Sequence, residues 1–263
     1  MSALRARCPN CRTLTAVAVD SGYQCHSCGR EFGAGLVRVP KAWGRTDQPA
    51  PPPGAEPMAE AANLAVPFPE TAIVDRDTLA EQTEAIASSL PERPLVLGGC
   101  CCAHLGAARG LAARGDRLGL VWLDAHGDLN TPETSPSGNR WGMPFRMILD
   151  EGLVAPRDAA LVGARNLDPP EVEYLGATGI DDSIERSLEG TDRVYVAFDL
   201  DVLDPADADV HFPEPGGLPI QSAETALREV AARARIAGLG FTGLLPSERN
   251  LATITRLAAA AGL

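Results

Sequence analysis

The sequence is poor in aromatic residues and in basic charge, and it lacks any long hydrophobic run. Phe, Trp and Tyr make up 5% of the 263 residues, which argues against a base-stacking nucleic-acid platform or a carbohydrate groove. Lys and Arg number 23 against 35 Asp and Glu, a net charge of −12, so affinity for nucleic acid or anionic lipid is not expected. No stretch of about 18 uncharged apolar residues occurs, so no membrane span is predicted.

Seven cysteines fall into two tight groups, and an odd number grouped in this way is not typical of a secreted disulfide framework. The first ten residues carry no apolar stretch of the kind found in signal peptides, so we expect a reducing, cytoplasmic environment. The two groups are Cys8, Cys11, Cys25 and Cys28, and then Cys100, Cys101 and Cys102.

Charge and composition divide the chain into two parts. Residues 1–45 carry seven basic and two acidic side chains, a net of +5, which leaves −17 for the rest. Residues 46–59 are rich in proline and resemble a semi-rigid linker. We therefore predict a small module over 1–45 and a main domain over 60–263.

The small module carries two Cys-x-x-Cys pairs, Cys8 with Cys11 and Cys25 with Cys28. Two such turns complete a closed tetrahedral metal site, which predicts a structural zinc ribbon rather than a catalytic centre. The metal supplies stability that about 40 residues cannot obtain from a core of their own. A redox dithiol and an iron–sulfur site are the alternatives.

In the main domain, short apolar runs typical of strands alternate with helical stretches. This alternation predicts a three-layer α/β/α fold with a mostly parallel sheet. The predicted strands are 95–97, 118–123, 159–162, 193–198 and 236–245; the predicted helices are 77–90, 103–114, 144–151, 182–189, 220–235 and 248–261. Polar or glycine-rich segments follow each strand, and we expect them to converge at the carboxyl edge of the sheet.

Two of these segments have the composition of a metal site. Asp124, His126 and Asp128 alternate along one segment, and Asp199 and Asp201 repeat that spacing on another. Four carboxylates and an imidazole in one crevice repel each other unless cations neutralise them. Mixed oxygen and nitrogen ligands in this number favour two Mn²⁺-like ions over a single zinc.

Three stretches of sequence then resemble the signatures of the arginase–agmatinase, or ureohydrolase, family. They are LGGCCC over 97–102, DAHGDLNTPETSPSGN over 124–139 and FDLDVLDP over 198–205. The resemblance covers about residues 94–246. It implies two divalent metal ions that activate water for attack on a guanidino or amidino carbon, with His126 and Asp128 at the reacting centre. The implied metal ligands are Cys101, Asp124, His126, Asp128, Asp199 and Asp201.

The same resemblance implies a small-molecule substrate of amino-acid type. Asn130 and Ser137 match positions that bind the substrate α-carboxylate in arginases, and Asp168 matches a position that holds the α-amino group. Agmatinases lack this loop. An assembly of identical chains is a further expectation.

The resemblance is incomplete at the metal site itself. Cys101 stands where the family has a ligand histidine, and a softer thiolate shifts preference from Mn²⁺ towards Zn²⁺ or Fe²⁺. His104 lies one helical turn further on and is either a compensating ligand or a packed side chain. Cys100 and Cys102 are interpreted as small residues packed in a strand–helix turn.

Three further departures concern the substrate pocket and the start of the fold. Trp141 replaces a histidine thought to shuttle protons, and an indole cannot titrate; Trp141 instead shapes the pocket. Gly243 replaces the glutamate that grips the guanidinium. The strand that normally opens the fold is not apparent before residue 94, and the ribbon is expected to cover the edge thus left exposed.

We therefore predict a binuclear metallohydrolase of linear guanidino or amidino compounds. The alternatives are a repurposed, inactive scaffold, which the loss of the histidine and glutamate favours, and an amide hydrolase on a related fold.

Overall fold

The N-terminal cysteine pairs sit on a small antiparallel sheet of three short strands. The computed structural model describes residues 5–20, 22–45, 56–115 and 117–263. The strands are β1 (Ala16–Val19), β2 (Gly22–Cys25) and β3 (Glu31–Phe32), in the order β1-β2-β3. Their core is a cluster around Ala6, Cys8, Ala16, Tyr23 and Cys25.

A seven-stranded sheet in which every neighbouring pair is parallel forms the centre of the molecule. Its strands are β4 (Gly35–Val39), β5 (Glu70–Ile73), β6 (Pro94–Gly98), β7 (Leu118–Leu123), β8 (Ala159–Val162), β9 (Arg193–Asp199) and β10 (Arg235–Thr242). The order across the sheet is β5-β4-β6-β10-β9-β7-β8. Every residue of β6, β7 and β9 is buried, as expected for parallel strands covered on both faces.

Helices cover both faces of this sheet and complete the predicted three-layer architecture. They are α1 (Glu56–Ala61), α2 (Leu79–Ser89), α3 (Cys102–Ala112), α4 (Pro144–Asp150), α5 (Pro169–Thr178), α6 (Ile184–Ser187), α7 (Ile220–Arg233) and α8 (Glu248–Ala260). One apolar core joins one face of the sheet to α1, α6, α7 and α8, and a second joins the other face to α2, α3, α4 and α5.

Capping residues stand at the ends of several of these helices. Thr78 accepts a hydrogen bond from the backbone N–H of Glu81 at the start of α2, and Ser247 accepts one from Asn250 at the start of α8. Both are N-caps that satisfy backbone donors left free by the first helical turn. Helix α5 ends at Gly179, whose φ of 72° is the left-handed conformation that glycine tolerates best.

The predicted domain boundary at residue 45 is wrong, because a strand of the large sheet lies before it. Gly35–Val39 pairs in parallel with Pro94–Gly98 on one side and with Glu70–Ile73 on the other. The opening strand thought to be missing is therefore present. Of the predicted linker 46–59, residues 46–55 lie outside the described residues and helix α1 already begins at Glu56.

The N-terminal module lies against the edge strand β5. The edge that a missing opening strand was expected to leave exposed does not exist, because strand β4 is present beside β6. Arg7 and Glu70 exchange two backbone hydrogen bonds of 3.2 Å in an antiparallel bridge. Strand pairing of this kind satisfies backbone groups that an open sheet edge leaves unpaired.

Across the parts of the chain that the structure describes, no helix is long and apolar enough to cross a membrane.

Candidate metal centre

The predicted polar segments meet in one pocket at the carboxyl edge of the sheet. The pocket has a volume of about 300 Å³ and opens beside the ends of β6, β7, β8, β9 and β10. Parallel strands bring these ends to the same edge, which is why residues far apart in sequence converge here. Its lining includes Met58, Cys101, Asp124, His126, Asp128, Asn130, Ser137, Trp141, Asp168, Glu171, Asp199, Asp201, Phe212 and Gly243.

The segment after β7 turns so that its carboxylates face inward. Asp124 accepts hydrogen bonds from the indole N–H of Trp122 (3.0 Å) and from the backbone N–H of His126 (2.7 Å). Asp128 has a φ of 50°, a conformation uncommon for a residue with a side chain. It is 5% exposed, and its Oδ2 has no hydrogen-bond partner among the described residues.

The two aspartates after β9 are fixed by backbone hydrogen bonds. Asp199 Oδ1 accepts from the backbone N–H of Asp201 (3.0 Å), and Asp201 Oδ1 accepts from the backbone N–H of Ala125 (3.0 Å). The second bond ties the β9 segment to the β7 segment. Asp201 Oδ2 also lies 3.0 Å from Nδ1 of His126.

Burial and mutual repulsion oppose ionisation of these carboxylates. Desolvation, with the charge of Asp201, raises the pKa of Asp199 to about 7. Desolvation, with the charge of Asp124, raises the pKa of Asp201 to about 6 and that of Asp128 well above its ordinary value. Burial lowers the pKa of His126, but hydrogen bonds and charge from Asp124 and Asp201 outweigh it and raise that pKa to about 12. The side chains of the protein alone therefore supply too little positive charge to neutralise these buried carboxylates.

The side chains fit two neighbouring metal ions. One group consists of Cys101, Asp124 and Asp128, and the other of Asp124, His126 and Asp201; within each group the ligand atoms lie within 4.8 Å of one another. Asp124 belongs to both groups, as a bridging carboxylate does. Asp199 lies outside both groups by this measure, but its Oδ2 is 2.8 Å from Sγ of Cys101. The unpartnered Oδ2 of Asp128 is a further free ligand atom.

Cys101 faces the carboxylates, whereas its two neighbours do not. Its thiol donates to Asp199 Oδ2, and burial with nearby negative charge raises its pKa well above the ordinary value. Cys100 and Cys102 pack in a separate apolar cluster with Ala42 and Met58, as predicted for small residues at this turn.

The hypothesis that His104 compensates as a ligand is wrong. Its ring is fully buried beneath the site, with Nδ1 2.7 Å from the hydroxyl of Tyr195 and Nε2 3.1 Å from Oγ1 of Thr242. Both ring nitrogens are therefore engaged by neutral hydroxyls, and neither points to the carboxylates. Burial lowers the pKa of His104 to about 3, so the imidazole stays neutral.

The predicted substrate residues line the same pocket. Asn130 donates from Nδ2 to Asp168 Oδ2 (2.8 Å), which joins the loop after β7 to the start of α5. Ser137 and Trp141 lie on the pocket wall, and the Trp141 ring is 6.1 Å from that of Phe212. The lining of the pocket therefore combines polar groups with an aromatic pair.

Gly243 follows β10 with a φ of 71°, directly beside Asp199. A Cβ atom built at Gly243 would overlap the carboxylate of Asp199. This position has no room for a glutamate, or for any side chain, in the present arrangement.

Sequence reasoning missed two glutamates at this site. Glu171 is 3% exposed and accepts from the backbone N–H groups of Leu129 and Asp168, both at 2.9 Å. Its spacing three residues after Asp168 is that of a capping box, a signal present in the sequence. Glu214 lies 3.5 Å from Nε2 of His126, and its place in a Pro- and Gly-rich loop gave no comparable signal.

The four cysteines of the N-terminal module lie close to one another. Sγ of Cys8 lies 3.8 Å from that of Cys28, and Sγ of Cys11 lies 3.5 Å from that of Cys25. Two thiolates on one tetrahedral zinc, each about 2.3 Å from the ion, are about 3.8 Å apart. The cluster is compatible with a small zinc-binding module.

The parallel β-sheet covered by helices makes this an α/β protein, and the crowded, buried carboxylates at the carboxyl edge of the sheet form a metal-binding site. The model of the arginase family matches residues 13–262. The chain is 34% identical to the arginase of Bacillus caldovelox over 65% of this chain and 70% of that protein. It is 37% identical to the arginase of Bacillus subtilis over 51% of this chain and 55% of that protein.

The fold agrees with these sequence matches. The structure superposes on the crystal structure of arginase from Bacillus cereus with a TM-score of 0.71 and 26% identity, covering 86% of this chain and 97% of that one. The chain belongs to the arginase family, whose members are hydrolases.

Proposed function

We propose that this protein is a binuclear metal-dependent hydrolase that cleaves a C–N bond in a small guanidino or amidino compound. The observation that carries the proposal is the pair of ligand groups that share Asp124 within one pocket. Family membership supports the reaction class, and the crowded carboxylates support the need for two cations.

Cys101, Asp124, Asp128 and Asp199 would hold one ion, and Asp124, His126 and Asp201 the other. Two divalent cations at this place would lower the pKa of water enough to provide a nucleophile at neutral pH. Mn²⁺ matches the carboxylates, whereas the thiol of Cys101 suits a softer ion such as Zn²⁺ or Fe²⁺.

The reaction adds one water molecule across a C–N bond. A C–O bond forms at the guanidino or amidino carbon, the bond to the leaving nitrogen breaks, and that nitrogen takes up a proton from the water. The products are urea, or a related amide, and an amine. The free Oδ2 of Asp128 would accept a proton of the attacking water and pass it on, a role that the indole of Trp141 cannot fill.

We further propose an amino-acid-like substrate. Asn130 and Ser137 would bind its carboxylate and Asp168 its amino group, since all three line the same pocket as the buried aspartates. Trp141 would pack on the carbon chain. Gly243 provides no carboxylate. A substrate group bound beside Asp199 would therefore lack the charge-assisted hydrogen bond that a glutamate at this position would accept from a guanidinium.

The N-terminal module would hold one structural zinc through its four cysteines. The odd number of cysteines in two tight groups supports a reducing compartment such as the cytoplasm. Assembly of identical chains stays a prediction.

Metal analysis of the full chain, purified without chelators, followed by a screen for product release, tests this proposal. We expect about three metal ions per chain, one of them zinc, and release of an amine with urea or a related product from one of the guanidino, N-hydroxyguanidino or formimino compounds. Asp128→Asn should reduce kcat by at least about a hundredfold through loss of the acid–base group.

The matched control is Asp182→Asn, an exposed aspartate outside the pocket, which should leave metal content and turnover unchanged. One zinc and no further metal would refute the proposal. Full metal occupancy without turnover of any compound in the screen would favour the inactive scaffold instead.

A further inference from the structure

A line of hydrogen bonds runs beneath the candidate metal centre from Tyr195 to Asp199. The Tyr195 hydroxyl lies 2.7 Å from Nδ1 of His104, and Nε2 of the same ring lies 3.1 Å from Oγ1 of Thr242. Thr242 Oγ1 then donates to Oδ2 of Asp199 at 3.1 Å and lies 3.3 Å from Sγ of Cys101. His104, Tyr195 and Thr242 are each 0% exposed.

Only one direction of donation uses each hydrogen atom once. Because Thr242 gives its single hydroxyl hydrogen to Asp199, it must accept from Nε2–H of His104. In a neutral imidazole the other nitrogen then carries only a lone pair, so Nδ1 accepts the hydroxyl hydrogen of Tyr195. The line therefore fixes both the tautomer of His104 and the rotamer of the Thr242 hydroxyl.

Side chains and backbone pack closely around this line of hydrogen bonds. A Cβ atom at Gly240 would lie 2.7 Å from Nδ1 of His104 and would overlap the Tyr195 hydroxyl. The Trp122 ring meets the His104 ring edge-on at 5.1 Å, and Trp122 itself donates to Asp124. The strand residues Gly240 and Thr242, two apart on β10, face the same side.

We propose that His104 and Tyr195 are positioning residues of the metal centre, which hold the Thr242 hydroxyl so that it orients Asp199 Oδ2, the carboxylate oxygen to which Cys101 Sγ also donates. The inference rests on the proposed function only in taking Cys101 and Asp199 as ligands. Partners behind metal ligands commonly change metal affinity by about 10- to 100-fold when they are removed. The inference explains why a buried histidine one turn after Cys101 points away from the carboxylates.

The test is a titration of the full chain, with zinc retained in its ribbon, by Co²⁺. Absorption from cobalt–thiolate bonding reports ligation by Cys101, and Cys101→Ser supplies the baseline for any signal from the ribbon. His104→Leu removes both hydrogen bonds, whereas His104→Gln keeps an acceptor for Tyr195 and a donor for Thr242. We expect Co²⁺ affinity to fall about 10- to 100-fold in His104→Leu, with weaker thiolate absorption, and to stay within about threefold in His104→Gln.

Two further variants separate positioning from general stability. Tyr195→Phe removes one hydroxyl and keeps the ring, so it remains informative even where His104→Leu does not fold; we expect about a three- to tenfold loss of Co²⁺ affinity. Leu105→Ala, a buried neighbour in the α3 core, should lower the melting temperature but leave Co²⁺ affinity unchanged.

The outcomes distinguish the two proposals. Uptake of two Co²⁺ ions by the wild type with unchanged affinity in His104→Leu and Tyr195→Phe would overturn the positioning role alone. The positioning role would also be overturned if His104→Gln lost as much Co²⁺ affinity as His104→Leu, or if Leu105→Ala did. Absence of any Co²⁺ uptake beyond the ribbon in the wild type would overturn the proposed function, and the positioning role with it.

Discussion

Gly243 shows how one residue limits what the metal centre can contain. Its positive φ of 71° is strained for any L side chain, and a Cβ atom would overlap the Asp199 carboxylate. Gly243→Ala should therefore destabilise the fold by roughly 2–4 kcal/mol and displace Asp199. Thermal unfolding and metal analysis together measure both effects, and we expect the loss of one metal ion per chain.

Gly179→Ala provides the matched control. Gly179 has nearly the same φ, 72°, but a Cβ atom there would meet no heavy atom of the described residues within 4 Å. Gly179→Ala should lower the free energy of unfolding by about 1 kcal/mol and leave the metal content unchanged. Gly243→Glu, which introduces the glutamate implied by the sequence resemblance, should behave like Gly243→Ala rather than gain activity. Full metal content in Gly243→Ala would show that Asp199 can move aside without consequence.

At the scale of secondary-structure elements, the start of α5 holds one wall of the pocket in place. The Glu171 carboxylate accepts from the backbone of Asp168 through one oxygen and from that of Leu129 through the other. Glu171→Gln replaces one acceptor with an N–H donor and leaves a buried backbone N–H unpaired, at a cost of about 1–3 kcal/mol. We expect a lower melting temperature and a raised KM, because Asp168 and Asn130 lose their fixed positions.

Glu173→Gln is the control for this change, because Glu173 lies on the same helix and is exposed. Its KM and melting temperature should match the wild type. A lower melting temperature in Glu171→Gln at an unchanged KM would restrict Glu171 to a structural role in the loop.

The strands with the strongest apolar runs could be predicted, and the weaker ones could not. Leu118–Leu123 and Arg193–Asp199 are continuous buried runs, which predict parallel central strands. Gly35–Val39 contains an arginine and is separated from β3 of the cysteine module by only two residues, which favours its assignment to that module. Glu70–Ile73 contains a single large apolar residue, as is common for an edge strand.

Residue types and spacing likewise predicted which segments meet at the pocket, but not the direction of every side chain. The direction of His104 depends on the Tyr195 hydroxyl, 91 positions away in sequence, and on Thr242, 138 positions away. Such partners follow from the strand order, which places β10 between β6 and β9. No local pattern around residue 104 contains that information.

At the scale of the whole molecule, the basic N-terminal module and the acidic main domain form one structure. The antiparallel bridge between Arg7 and Glu70 covers part of the sheet edge, and Arg93 donates to the carbonyl groups of both Gly33 and Gly262. The module is thus joined to the edge strand and to the last turn of the chain. A metal ion held by the four cysteines would then contribute to the stability of the sheet as well as of the module.

Loss of the structural metal should therefore affect the main domain. Cys25→Ser removes one of four thiols in the ribbon cluster, so we expect loss of about one zinc per chain and release of the module from Glu70. Edge strand β5 would then present unpaired backbone groups, which promote association between chains. We expect a melting temperature lower by several degrees and concentration-dependent aggregation, measured by calorimetry and by size-exclusion chromatography with light scattering.

Ser27→Ala, an exposed change within the same cysteine turn, is the matched control and should keep zinc, melting temperature and elution profile. Glu70→Pro removes the backbone N–H donated to Arg7 and should reproduce part of the aggregation while the zinc stays bound. Loss of zinc in Cys25→Ser without any change in melting temperature or association would mean that the module folds and unfolds independently of the sheet. The bridge between Arg7 and Glu70 would then contribute nothing measurable to protection of this edge.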